Sequence, residues 1–171
     1  MTSKEYELIK EMLQMQAKLD ESIMNEYGLN EIDEENLRMA ILDEVGELTH
    51  ELKGNWCWWK KTQAPVDNDK VLGELVDIFH FLLSYQNHFN DGGNGISNYL
   101  MFNGNSDNIL NLLMNGEYKL SETLTELSTL NIHKMERLIA RSEDLGFTIE
   151  QVYEAYCGKN KINYQRLKEG Y

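Results

Sequence analysis

Residues 71–84 read VLGELVDIFHFLLS, and this stretch limits the fold more than any other part of the chain. At about 3.6 residues per turn, Val71, Leu75, Ile78, Leu82 and Tyr85 form one stripe, and Leu72, Phe79 and Leu83 cover a second side. A helix built this way has to be wrapped by other elements over most of its surface. Glu74 and Asp77 interrupt the apolar cover, with Phe81 on the same side as Asp77. An ionised carboxylate left dry and unpaired costs several kcal/mol or takes up a proton, so something must compensate these two acids.

Helical spacing recurs elsewhere. Thr2 to Glu5 has the form of a capping box, and Leu8, Met12, Met15, Leu19 and Ile23 follow it as the stripe of a first helix. Asp33 is a candidate cap for a second helix carrying Leu37, Ile41, Val45, Leu48 and Leu52, with Gly54 and Asn55 as its stop. A long helix is expected over Ser121 to about Asp144, and a last one opens at the Thr148 to Gln151 capping box. Between them, residues 87–108 turn to Asn, Gly, Asp and Ser and read as a flexible excursion or lid. The chain has a single proline and no alternating Val/Ile/Thr runs. The expectation is an all-α helical bundle forming one domain over 1–171.

Charge excludes several partners. A net charge of −13 argues against unassisted binding to DNA, RNA or an anionic membrane, which recruit Lys and Arg. A nucleotide would need cations as intermediaries. Cys57 and Cys157 lack metal-ligand spacing and read as reduced thiols of a cytoplasmic protein. The acidic, amphipathic N-terminus has no signal-peptide pattern, and no apolar run reaches spanning length.

Glu44 and Glu47 are spaced as Glu-x-x-Glu on the second helix, and Glu74 and Asp77 as Glu-x-x-Asp on the third. In so acidic a chain that spacing alone also describes a solvated helix face. Position adds to it, because Glu44 falls at the edge of the apolar stripe, between Leu37 and Leu48. Four carboxylates bordering the core call for a divalent cation. Oxygen ligands without His or Cys favour Mg2+, with Mn2+ as a substitute, and Mg2+ commonly shares its shell with substrate phosphates. The competing reading is a non-enzymatic helical interaction protein whose acids face solvent or a basic partner.

With these residues in view, AILDEVGEL followed by VLGELVDIFHFLLS resembles the E-x-x-E and E-x-x-D helices of all-α nucleoside triphosphate pyrophosphatases. The resemblance narrows to the dimeric dUTPases. MLQMQAKLD is similar to their L-Q-x-x-L-N, WCWWK to W-x-x-W-K, GELVDIFHFLLS to E-[IL]-V-D-I-W-H-F-x-L-S, and KNKINYQRLKEGY to K-N-x-L-N-x-x-R-Q-x-x-G-Y, all in family order. Asp20 stands where Asn is usual and Leu167 where Gln is usual, and the connection from Glu47 to Trp56 is longer.

The resemblance implies a homodimer that hydrolyses dUTP, and dUDP as a further substrate, to dUMP. It implies that Glu47, Glu74 and Asp77 hold Mg2+ and that Glu44 bridges the cation or activates water. Glu44 is the expected general base, with Glu47 able to exchange roles. Lys159, Asn163 and Arg166 share one helix face. On the resemblance the cations contact phosphates and the amide contacts base or sugar. Gln16 is expected to offer a donor and an acceptor to the uracil edge, a pattern that cytosine inverts. Trp59 and Lys60 match the W-K motif and are expected near base and phosphate, although Trp56, Trp58 and Trp59 also read as core anchors. His80 is expected to support a ligand carboxylate or to be a hydrogen-bonded structural histidine. The rival within the superfamily is a pyrophosphatase for another nucleotide, such as dCTP.

Overall fold

The computed structural model describes residues 2–89, 119–127 and 134–170. Among them are seven helices and no strand: α1 Ser3–Tyr27, α2 Glu34–Glu51, α3 Lys53–Trp56, α4 Asn68–Phe89, α5 Leu120–Leu127, α6 Lys134–Asp144 and α7 Ile149–Glu169. The all-α expectation holds.

Local chemistry sets the helix starts. Thr2 and Thr148 each cap through a full capping box, and the Asp33 carboxylate accepts from the Asn36 amide at 2.8 Å. α1 ends at Gly28, whose φ of 65° is a left-handed conformation that glycine adopts at no steric cost. α2 stops earlier than expected, at Leu52, and α3 follows directly. Gly54 serves another purpose, because a Cβ there would lie 2.9 Å from the Ala64 carbonyl oxygen of the returning chain.

α4 is the centre of the bundle and packs on α1, α2 and α7. Its Val71, Leu75, Val76, Ile78, Phe79, Leu82 and Leu83 are buried, each worth about 1.5–3 kcal/mol relative to exposure. It runs antiparallel to α2, since Tyr85 donates to Glu34 at 2.7 Å while Glu44 lies beside Glu74 and Asp77. It is also antiparallel to α7, because Asp77 meets Lys159 and His80 meets Tyr156. The acids of α2 and α4 and the cations of α7 are therefore delivered to one end of the bundle.

Three expectations change. The single helix from Ser121 to Asp144 is two, α5 and α6, with 128–133 outside the described residues. Arg137 of α6 pairs with Glu126 of α5, which a continuous helix would hold about 16 Å apart. The tryptophans do not anchor the core: Trp56, Trp58 and Trp59 are 39, 87 and 56% exposed. Of the expected excursion over 87–108, residues 87–89 complete α4, and the remainder lies outside the described residues. Cys57 and Cys157 are free thiols. None of the described helices is long and apolar enough to cross a membrane.

Candidate active site

A cavity of about 820 Å3 opens between α1, α2, α4 and α7. It brings together Gln16, Glu44, Glu47, Glu74, Asp77, His80, Lys159, Asn163 and Arg166, all expected from the sequence, along with Asp20 and Leu167. Trp59 and Lys60 do not line it. The Trp56 indole N–H donates to the Thr49 carbonyl at 2.9 Å, and the Trp59 ring packs 5.6 Å from Trp56 and 5.8 Å from Trp58. These contacts hold the segment on the C-terminal end of α2, away from the cavity wall.

The acids occupy one side. Carboxylate oxygens of Glu44, Glu74 and Asp77 lie within 4.8 Å of one another, each residue half-buried. Burial raises the Glu44 pKa to about 7, and Asp77, Glu47 and Glu74 push the same way. Glu74 is raised by burial and then by Glu47 and Asp77, and its carboxyl is hydrogen-bonded to the Glu47 carboxyl, a contact that needs a shared proton. Asp77 is raised by burial against the pull of Lys159, whose Nζ lies 2.5 Å away. Oxygen-only donors that take up protons for want of positive charge fit a hard divalent cation. Glu47 itself is exposed at the rim.

This electrostatics has a measurable sign. A carboxyl with a native pKa above its unfolded value contributes stability below the unfolded pKa and loses it as pH rises through the native one. For Glu44 that window runs from the ordinary 4.5 to about 7, and Glu74 and Asp77 shift in the same direction. In EDTA the melting temperature should fall from about pH 5 to about pH 7.5, by the equivalent of roughly 1 kcal/mol once partial exposure is discounted, and excess Mg2+ should flatten the fall. A melting temperature that climbs across the window would mean that these carboxylates are ionised and compensated from within the protein.

The opposite side is a buried polar network. The Gln16 amide oxygen accepts from His80 Nδ1 at 2.7 Å and from the Tyr156 hydroxyl at 2.8 Å, and its nitrogen donates to Asp20 Oδ1 at 2.7 Å. His80 stacks on Tyr156 with centroids 4.1 Å apart, and burial lowers its pKa to about 3, so it is neutral. These contacts bear on two expectations. Of the two readings of His80, the hydrogen-bonded structural histidine is the one its contact with Gln16 matches, and its Nε2 is buried without a hydrogen-bond partner among the described residues. Gln16 has no free acceptor for a base, because both lone pairs of its oxygen are engaged, and it retains one N–H.

Asp20 Oδ2 faces His88 Nε2 at 3.3 Å, and burial raises the Asp20 pKa against hydrogen bonds from Gln16 and Ser84. Tyr156, Asp20 and Ser84 join the site without having been assigned to it from the sequence, although Asp20 and Ser84 close two of the quoted motifs and Tyr156 lies three residues before Lys159. The cavity joins an end that carries the acids and the cations of α7 to an end built of the buried Gln16 network. No curated protein matches the chain. A family model described as dUTPase matches residues 8–171, nearly the whole length that builds this cavity, and the chain belongs to the dUTPase family of dUTP-hydrolysing enzymes.

Proposed function

We propose that the chain hydrolyses dUTP, and dUDP as well, to dUMP by attack of water on the α-phosphorus, releasing pyrophosphate from the triphosphate. The observation that carries this reading is the Glu44, Glu74 and Asp77 cluster, set in one cavity with Lys159, Arg166 and the buried Gln16 network. Glu74 and Asp77, with Glu44 and Glu47 beside them, are the residues that would hold Mg2+, or Mn2+ in its place. A bound cation supplies charge neutralisation on the phosphates and on the pyrophosphate leaving group. Glu44, whose proton affinity is raised towards neutrality, takes the proton of the attacking water.

Lys159 and Arg166 attract the phosphate chain, and Asn163 faces the sugar or base. The Gln16 amide, locked by His80 and Tyr156, presents one N–H to the base, and apolar Leu19 and Phe81 close the cavity around the ring. The functional unit is a homodimer in the cytoplasm, acting on a free nucleotide rather than on nucleic acid or a membrane.

A second substrate has specific support. Asp20 stands in the cavity wall where the resembling family has Asn, and an ionised carboxylate only accepts. Both uracil N3–H and cytosine N4–H2 could meet such an acceptor, so dCTP is the alternative substrate. A panel of dUTP, dCTP, dTTP and UTP with Mg2+ and with EDTA tests both readings. The expected result is hydrolysis of dUTP about 100-fold faster than of the others, and none in EDTA. Equal rates on dUTP and dCTP would overturn the selectivity for uracil, and faster hydrolysis of dCTP would replace the dUTP reading with the dCTP one.

A further inference from the structure

Asp77 already carries a cation. Lys159 Nζ lies 2.5 Å from Asp77 Oδ2, the two side chains being 28% and 16% exposed. The α7 ammonium is thus seated on one of the three carboxylates that converge within 4.8 Å. Glu44 and Glu74 feel the Lys159 charge only through space, and the hydrogen-bonding neighbour of Glu74 is another acid, Glu47. An ammonium and a divalent cation held on one carboxylate repel one another strongly in a half-buried site, which favours departure of the ammonium. Lysine can leave, being a point charge on a flexible four-carbon stem. Asn163 and Arg166 line the same cavity as Lys159.

We propose that Lys159 is a built-in counter-cation of the carboxylate cluster, which pairs with Asp77 and would be released toward the phosphates of the nucleotide when a divalent cation is held by the cluster. Cation loading and readiness of the phosphate-binding lysine are then one coupled event. The proposal rests on reading Glu44, Glu74 and Asp77 as the cation site.

Lys159→Met keeps most of the apolar stem and removes the charge. Calorimetric titration of MgCl2, and separately MnCl2, into nucleotide-free protein should give a dissociation constant about tenfold smaller for K159M than for the unaltered chain. The gain should persist in roughly 0.5 M KCl, because a contact pair shielded from solvent is little screened, whereas a distant field is. K159R, which keeps the charge, should stay within about threefold of the unaltered protein. In EDTA, K159M should melt below the unaltered protein, and saturating Mg2+ should close the gap. K159Q supplies the same comparison should the methionine variant not fold.

An unchanged or larger dissociation constant for the charge-removing variant overturns the proposal, as does a gain that vanishes in salt. Failure of the unaltered protein to bind either cation overturns both this proposal and the cation-site reading. Binding by the unaltered protein with K159M indistinguishable from it overturns the role of the lysine alone.

Discussion

Glu74→Gln should abolish dUTP hydrolysis, by about a thousandfold or more, while leaving the cation-free protein at least as stable as before. The pairing of stability with inactivity follows from what surrounds each acid. Glu74 has burial, Glu47 and Asp77 against it, and its hydrogen bond is to another carboxyl. A neutral amide relieves that repulsion and can donate to Glu47 without needing a shared proton. Asp77 is different, because its Lys159 partner would be stranded by Asp77→Asn, which should melt lower in EDTA as well as lose activity. Mg2+ should raise the melting temperature of the unaltered protein and much less that of E74Q, since a ligand specific to the native state adds RT ln(1 + [L]/Kd). Melting curves of the three proteins in EDTA and in Mg2+, beside the activity assay, give the comparison. If E74Q melts far below the unaltered protein in EDTA, or still hydrolyses dUTP, Glu74 is a structural residue and the cation site lies elsewhere.

That contrast between Glu74 and Asp77 is not legible in the sequence, although both residues are. The acids stand out because they interrupt an apolar helix, a one-dimensional signal that burial of Val71, Leu75, Ile78 and Phe79 then bears out. The helix caps at Thr2, Asp33 and Thr148 are equally local and lie where the spacing puts them. Which acid receives Lys159 depends on how α7 crosses α4, and no pattern within either segment records that crossing.

The same reasoning accounts for the misreadings. Gln16 reads as a free donor and acceptor until His80 and Tyr156, far away in sequence, are brought to its oxygen. The tryptophans carry enough apolar area to predict burial, but among the described residues the contacts of their rings are with one another and with the end of α2. The stretch joining α5 to α6 carries no Gly or Pro, and a helical reading runs straight through it. The pairing of Arg137 with Glu126 is a contact between two helices that no pattern in the local sequence records.

Glu44→Gln should lower kcat by about 10^2 to 10^4 with little change in KM for dUTP, because a general base is needed in the transition state and not for binding. Glu44 suits that role, since it is half-buried beside three other acids and its pKa is pushed to about 7, where a carboxylate is basic enough to accept a proton. Glutamine preserves shape and removes only that capacity. Glu44 is also one of the three clustered carboxylates, so E44Q should bind Mg2+ more weakly, and its kcat is to be measured at saturating Mg2+. A loss of turnover that persists when Mg2+ is saturating separates the base from a plain ligand, whose loss excess cation would make good. Hydrolysis by the unaltered protein in 18O water completes the test, because attack at the α-phosphorus places the label in dUMP. Label in pyrophosphate would move the attack to the next phosphorus and take Glu44 out of reach of its water. Turnover by E44Q within a few-fold of the original would pass the role to Glu47, the neighbour one helical turn further along α2 at the cavity rim.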